Sequence, residues 1–148
     1  VFTSDGSFAG QWGQDRLVEP FGVAVGVGGR IFVTDRSRDA VLVFSTAGDF
    51  VAEWGTRGSG PGQFRRPQGI DLDSRDNVYV VDWDNFRIQS FTDSGAFRTS
   101  WEVEPAFPGD PVRFRDVCVD GADRVLVIAG ALISISVPPP GRCPAALP

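Results

Sequence analysis

Five consecutive residues, Trp83-Asp84-Asn85-Phe86-Arg87, place two aromatic rings, a carboxylate, an amide and a guanidinium in one turn. Aromatic and arginine side chains dominate binding hot spots, so Trp83, Phe86 and Arg87 are candidate contacts for a ligand or partner. A second concentration lies at Arg65, Arg66, Arg113 and Arg115, beside Phe64 and Phe114. Arginine neutralises phosphates and neighbouring rings stack on bases, which is the chemistry of single-stranded RNA binding. A competing reading makes Asn85 and Arg87 turn-fixing residues, with Phe86 packed against a neighbouring part of the fold.

Catalysis is poorly provided for. The chain has no His, no Lys and no Met, and all fourteen of its cations are Arg. The commonest general base and the commonest metal ligand are therefore missing. Asp35 and Asp82 stand at equivalent points of a repeat, as turn-capping acids do. The run Asp71-Leu72-Asp73-Ser74-Arg75-Asp76 is rich in oxygen ligands but lacks the Gly and terminal Glu of an EF-hand loop. Two distant Cys without His make no zinc set. Gly58-Ser59-Gly60-Pro61-Gly62 has no Lys-Ser/Thr after it, so it reads as a flexible connection rather than a phosphate loop. No catalytic residue, metal or cofactor is assigned.

Charge and apolar patterning narrow the field further. A net charge of −5 argues against a wholly electrostatic nucleic-acid binder. No apolar run approaches the roughly 20 residues of a membrane helix. Cys118, within Val117-Cys118-Val119, reads as a small buried thiol. Cys143 stands in a Pro-rich tail, and whether the two pair is left open, as is the compartment.

The elements that would position these groups come from a repeat. Phe44, Gly48, Phe50 and Trp54 recur 47 residues later as Phe91, Gly95, Phe97 and Trp101, and 42 residues earlier as Phe2, Gly6, Phe8 and Trp12. Pro20-Phe21-Gly22-Val23-Ala24-Val25 answers Pro67-Gln68-Gly69-Ile70-Asp71-Leu72. A third copy begins at Phe114-Arg115-Asp116-Val117-Cys118-Val119. The first interval is shorter because Trp12 to Pro20 is five residues shorter than Trp54 to Pro67. Each unit holds four β-type runs, in the second copy at 69–72, 78–81, 87–91 and 97–101, joined by Gly, Asp, Asn or Ser. Four strands at a period in the forties predict an all-β propeller of antiparallel meanders, about three blades long. The expected parts are 1–13 (the end of a third strand plus a fourth strand), blades at 14–55 and 56–101, a partial blade at 102–137, and a tail at 138–148.

Pro67-x-Gly69-Ile70-x-Leu72-Asp73, Asp76-Asn77-Val78-Tyr79-Val80-Val81-Asp82, Asn85-x-Arg87-Ile88-Gln89-x-Phe91 and Gly95-x-Phe97 together resemble the NHL repeat. The first copy departs from it at Asp39-Ala40-Val41, and the third at Ala129. The resemblance implies a six-bladed ring of which about half is here. Residues 1–13 would supply the strand that the last copy lacks. That fits a head-to-tail dimer in which each copy completes the other's third blade, or a piece cut from a longer chain.

In such a meander the connections between blades and those between second and third strands share one face. Nine of the fourteen Arg fall there, along with ten acids, Trp83 and Phe86. The expected function is a non-catalytic binding or assembly module for a protein, peptide or small ligand. The alternative is single-stranded RNA, which NHL domains resembling those of tripartite-motif proteins bind on an Arg-rich loop face. Peptide-amidating lyases with a similar repeat rely on metal-binding histidines, and none is present to carry over. An Asp-based hydrolase of the six-bladed group ranks last.

Overall fold

β-Branched and aromatic runs become strands here, and each run stops where a turn residue takes over. The computed structural model describes residues 1–102, 114–129 and 132–137. The first sheet is β1 (Pro20–Val25), β2 (Ile31–Asp35), β3 (Ala40–Phe44) and β4 (Phe50–Trp54), antiparallel in chain order. A short parallel pair, β5 (Thr56–Arg57) and β6 (Gln63–Phe64), pins the long connection that follows. The second sheet is β7 (Pro67–Leu72), β8 (Val78–Asp82), β9 (Arg87–Phe91) and β10 (Phe97–Glu102), with a 3-10 turn at Trp83–Asn85. The third has β11 (Phe114–Val119), β12 (Val125–Ala129) and β13 (Leu132–Val137). The first run of each full blade starts earlier than its apolar core because Pro20 and Pro67 already pair with Asp35 and Asp82 across a bulge.

The sheets stack face to face as propeller blades. Side chains alternate between the two faces of a strand, so each blade carries two apolar faces. Phe32, Val41 and Val43 of the first blade pack on Ile70, Val78, Val80 and Phe91 of the second. Tyr79, Val81 and Ile88 of the second then meet Phe114, Val117, Val125 and Val127 of the third. Each buried side chain of this size contributes about 1.5–3 kcal/mol. Tryptophans lock the outer edge: Trp12 packs on Phe44 with ring centroids 4.9 Å apart, and Trp54 on Phe91 at 4.7 Å. Each lies directly over a left-handed glycine, Gly48 or Gly95, where an added Cβ would run into the indole.

A turn-to-turn contact also repeats. The Asp76 carboxylate accepts the Val27 N–H at 2.7 Å, and 47 residues on Asp123 accepts the N–H (2.9 Å) and hydroxyl (2.8 Å) of Ser74. Both acids are left-handed, with φ of 59° and 58°.

The first blade's outward face lacks a neighbour among the described residues. Phe21, Val23 and Val25 are 53%, 66% and 64% exposed, whereas Gln68 and Ile70, which stand where Phe21 and Val23 do, are each 5% exposed against the preceding blade. Residues 1–13 show one isolated antiparallel bridge, Phe2 to Phe8. Cys118 departs from expectation: it is exposed, because strand alternation turns Val117 and Val119 onto the second blade and Cys118 away from it. The 103–113 segment, the 138–148 tail and Cys143 lie outside the described residues.

Candidate binding cleft on the loop face

The second and third strands of the second blade place Asp82 opposite Arg87. The Asp82 carboxylate is fully buried and accepts N–H bonds from Arg65 (2.8 Å), the Asn85 amide (2.9 Å), Arg87 Nε (2.8 Å) and the Gln89 amide (3.0 Å). Burial pushes its carboxyl above the usual carboxylate range, and these donors oppose the rise. The rest of the Arg87 guanidinium donates to the carbonyls of Ser59, Gly60 and Gln63, each at 2.8 Å. Asn85 donates to the Gly58 carbonyl, and Gln89 both donates to the Gln63 carbonyl and accepts the Gly62 N–H. Four side chains of one blade thus hold the connection that enters it. A buried charge pair satisfied on every side keeps one geometry.

In the first blade Asp35 does the same work on a shorter connection, accepting the N–H groups of Val18 and Glu19 and, in its own turn, Ser37 and Arg38. Asp39 adds a link across the junction. It is buried, left-handed at φ 52°, and its carboxylate accepts the Arg66 N–H at 2.7 Å. The backbone amides of Arg65 and Arg66 are therefore held by two buried aspartates, one from each blade.

The side chains of these two arginines are exposed. They overlook a cleft of about 600 Å³ lined also by Glu19, Arg36, Ser37, Asp39, Arg57, Asp84 and Phe86. Arg36 pairs with Glu19 at 3.2 Å, and Arg57 stands 3.9 Å from Asp39 with its side chain 82% exposed. The Arg66 guanidinium lies 5.0 Å from the centre of the Trp83 ring. The cleft combines arginine heads in water, an aromatic lip and interspersed acids.

Residues 18–103, more than half of the chain, match the family described as a 6-bladed beta-propeller. The chain belongs to this 6-bladed beta-propeller family. No curated protein matches it. Among solved structures the propeller resembles virginiamycin B lyase from Staphylococcus aureus, at 18% identity and a TM-score of 0.56 over 95% of this chain and 48% of that one. It also resembles a gluconolactonase from Xanthomonas campestris, at 16% identity and a TM-score of 0.57 over 77% of this chain and 36% of that one. A chain of a nidogen/laminin complex gives 21% identity and a TM-score of 0.57 over 78% of this chain and 42% of that one. The propeller thus spans less than half the length of each. At these identities the likeness is one of fold, and enzymes and a member of a protein complex share it.

Within the propeller the expected site residues separate. Arg65, Arg66 and Phe86 come together on the cleft, and Trp83 lies against Arg66. Arg87 is corrected from a surface contact to an interior clamp: it is 7% exposed and all three of its guanidinium nitrogens are engaged. Arg115 is exposed on β11 and is not among the cleft's lining residues, and Arg113 lies outside the described residues. Phe64 and Phe114, expected beside the arginines as stacking surfaces, are fully buried between blades. Arg36, Arg57 and Asp39 were expected on the loop face but not assigned to the site, and Gln89 was missed. The signal for Asp39 was available, since it occupies the Phe86 position one repeat earlier.

Acid chemistry on the other face is spent on structure. The Asp73 carboxylate accepts from Arg75, Asn77 and the Tyr79 hydroxyl. The Cys118 thiol is pushed up by desolvation and by Asp71, Asp116 and Asp120, which is the reverse of what a nucleophilic thiolate needs.

Proposed function

We propose that this chain is an NHL-type half-propeller acting as a non-catalytic binding and assembly module, with a protein, peptide or small ligand seated on its loop face. The observation that carries this reading is the pinning of Arg65 and Arg66. Their backbone is fixed by Asp82 and Asp39, while their guanidinium heads stand in water over the cleft. A pre-organised backbone lowers part of the entropic cost of binding. The buried acids, by contrast, are occupied as acceptors of structural N–H bonds. The RNA alternative loses support because Phe64 and Phe114 offer no exposed ring.

The test is a turnover screen with lactone and ester substrates, for which no rate above background is expected. Hydrolysis abolished by Asp84→Asn or Glu19→Gln would overturn the reading.

Assembly follows from the face formed by Phe21, Val23 and Val25. Its counterparts Gln68 and Ile70 in the second blade and Val117 in the third are covered by the preceding blade, so this row is read as the seat of a further blade. Either a second copy, joined head to tail with residues 1–13 completing the other's third blade, or blades in a longer chain would supply it. Light scattering on a sizing column reads the difference directly: a dimer supports the two-copy ring, and a monomer removes it.

A further inference from the structure

We propose that the cleft between the first and second blades receives an acidic peptide segment, whose carboxylates pair with Arg65 and Arg66. The inference rests on the binding-module reading and assigns its ligand.

Three features select the ligand. Planar guanidinium forks match carboxylates through two parallel hydrogen bonds. No ion pair engages the Arg65 or Arg66 side chain among the described residues, and the Arg66 guanidinium rests on the Trp83 ring. Two forks attached to consecutive, clamped residues are therefore ready for anionic groups spaced as on one short segment.

The cleft walls also carry Glu19 and Asp84. A polynucleotide sets a charge on every residue and would meet these acids at close range. A peptide brings side-chain carboxylates for the arginines, and its uncharged backbone passes the acidic wall, where Glu19 is already paired with Arg36, without the repulsion a phosphate chain would meet. Phe86 borders the same cleft. The volume of about 600 Å³ lies within the usual range for a ligand pocket.

The experiment uses the full 148-residue chain and a fluorescein-labelled octapeptide of alternating glutamate and leucine, read by anisotropy. The same peptide with glutamine for glutamate, and an oligouridylate, serve as competing probes. The glutamate peptide is expected to bind at least about tenfold more tightly than its glutamine counterpart. The double substitution Arg65→Gln, Arg66→Gln is expected to cost about tenfold or more in affinity, and the double Lys variant to retain part of it. Both side chains are exposed, so the far-ultraviolet spectrum and melting profile of the variants should match wild type; the Lys variant, with its charge kept, serves as the folded control.

Equal binding of the glutamate and glutamine peptides would overturn the proposal, as would no binding or tighter binding of oligouridylate. Undiminished peptide binding by the double Gln variant would move the ligand off this cleft and leave the binding module standing. Turnover in the substrate screen is what would remove the module itself.

Discussion

The first and second blades solve one problem in two ways. Both must hold the connection that delivers their innermost strand, and both begin with an aspartate, Asp35 or Asp82, that accepts its backbone N–H groups. Beyond that they diverge. At the two positions where the second blade has Arg87 and Gln89, the first has Ala40 and Leu42, buried with Phe44 against Leu17 of a connection five residues shorter. A short connection can be anchored by an apolar plug. The longer one exposes carbonyls at Gly58, Ser59, Gly60 and Gln63 that need donors, and Asn85, Arg87 and Gln89 supply them. Loop length and strand chemistry are thus one choice.

The sharpest way to break the contrast is Arg87→Met. It strands the buried Asp82 charge and frees the carbonyls, so the expected loss is about 3–5 kcal/mol in urea unfolding. A loss below about 1 kcal/mol would mean that the clamp is incidental. Leu42→Gln puts the second blade's residue into the first without its long loop. The lost packing and an unpaired amide should together cost about 2–4 kcal/mol, whereas Gln89 in its own setting is fully bonded. Asn85→Ala removes one anchor from several. About 1 kcal/mol is expected, read as faster amide exchange over 58–63 with little change elsewhere.

The mildest test concerns the opposite face, where the first blade has Gly29 at the position of Asp76 and Asp123. The Ser74 N–H and hydroxyl hold the Asp123 carboxyl below its ordinary value. A depressed carboxyl contributes stability that is complete above its unfolded value of about 3.9 and lost as pH falls through the lower folded value. Between about pH 5 and pH 2.5 the wild-type urea midpoint should therefore drop further than that of Asp123→Asn. Equal drops would assign the acid sensitivity to other groups.

The strand pattern was legible because the aromatic and glycine positions are locked to the repeat. Phe44, Gly48 and Trp54 can recur in step only if the same turn packs under the same ring. The site was less legible. Arg87 reads like a surface cation until its register opposite Asp82 is known, and pairing register is a tertiary fact. Cys118 looked buried because its neighbours are valines, yet burial depends on whether a blade covers that side. The inter-blade contacts of Asp76 and Asp123 join residues 49 apart, a separation that the repeat of 47 hints at without naming the acceptor.

Arg65 and Arg66 are adjacent in sequence, but one amide hangs on the second blade and the other on the first. The peptide bond between them is a suture across the seam. Moving the second blade together with its entering connection into another propeller would carry Asp82 along and leave Asp39 behind. Arg66 would arrive without its acceptor. The portable module is therefore not the four-stranded sheet. It is the seam: the end of one blade, the connection, and the start of the next, and a shuffled or duplicated gene would have to respect that boundary to give a ring that closes.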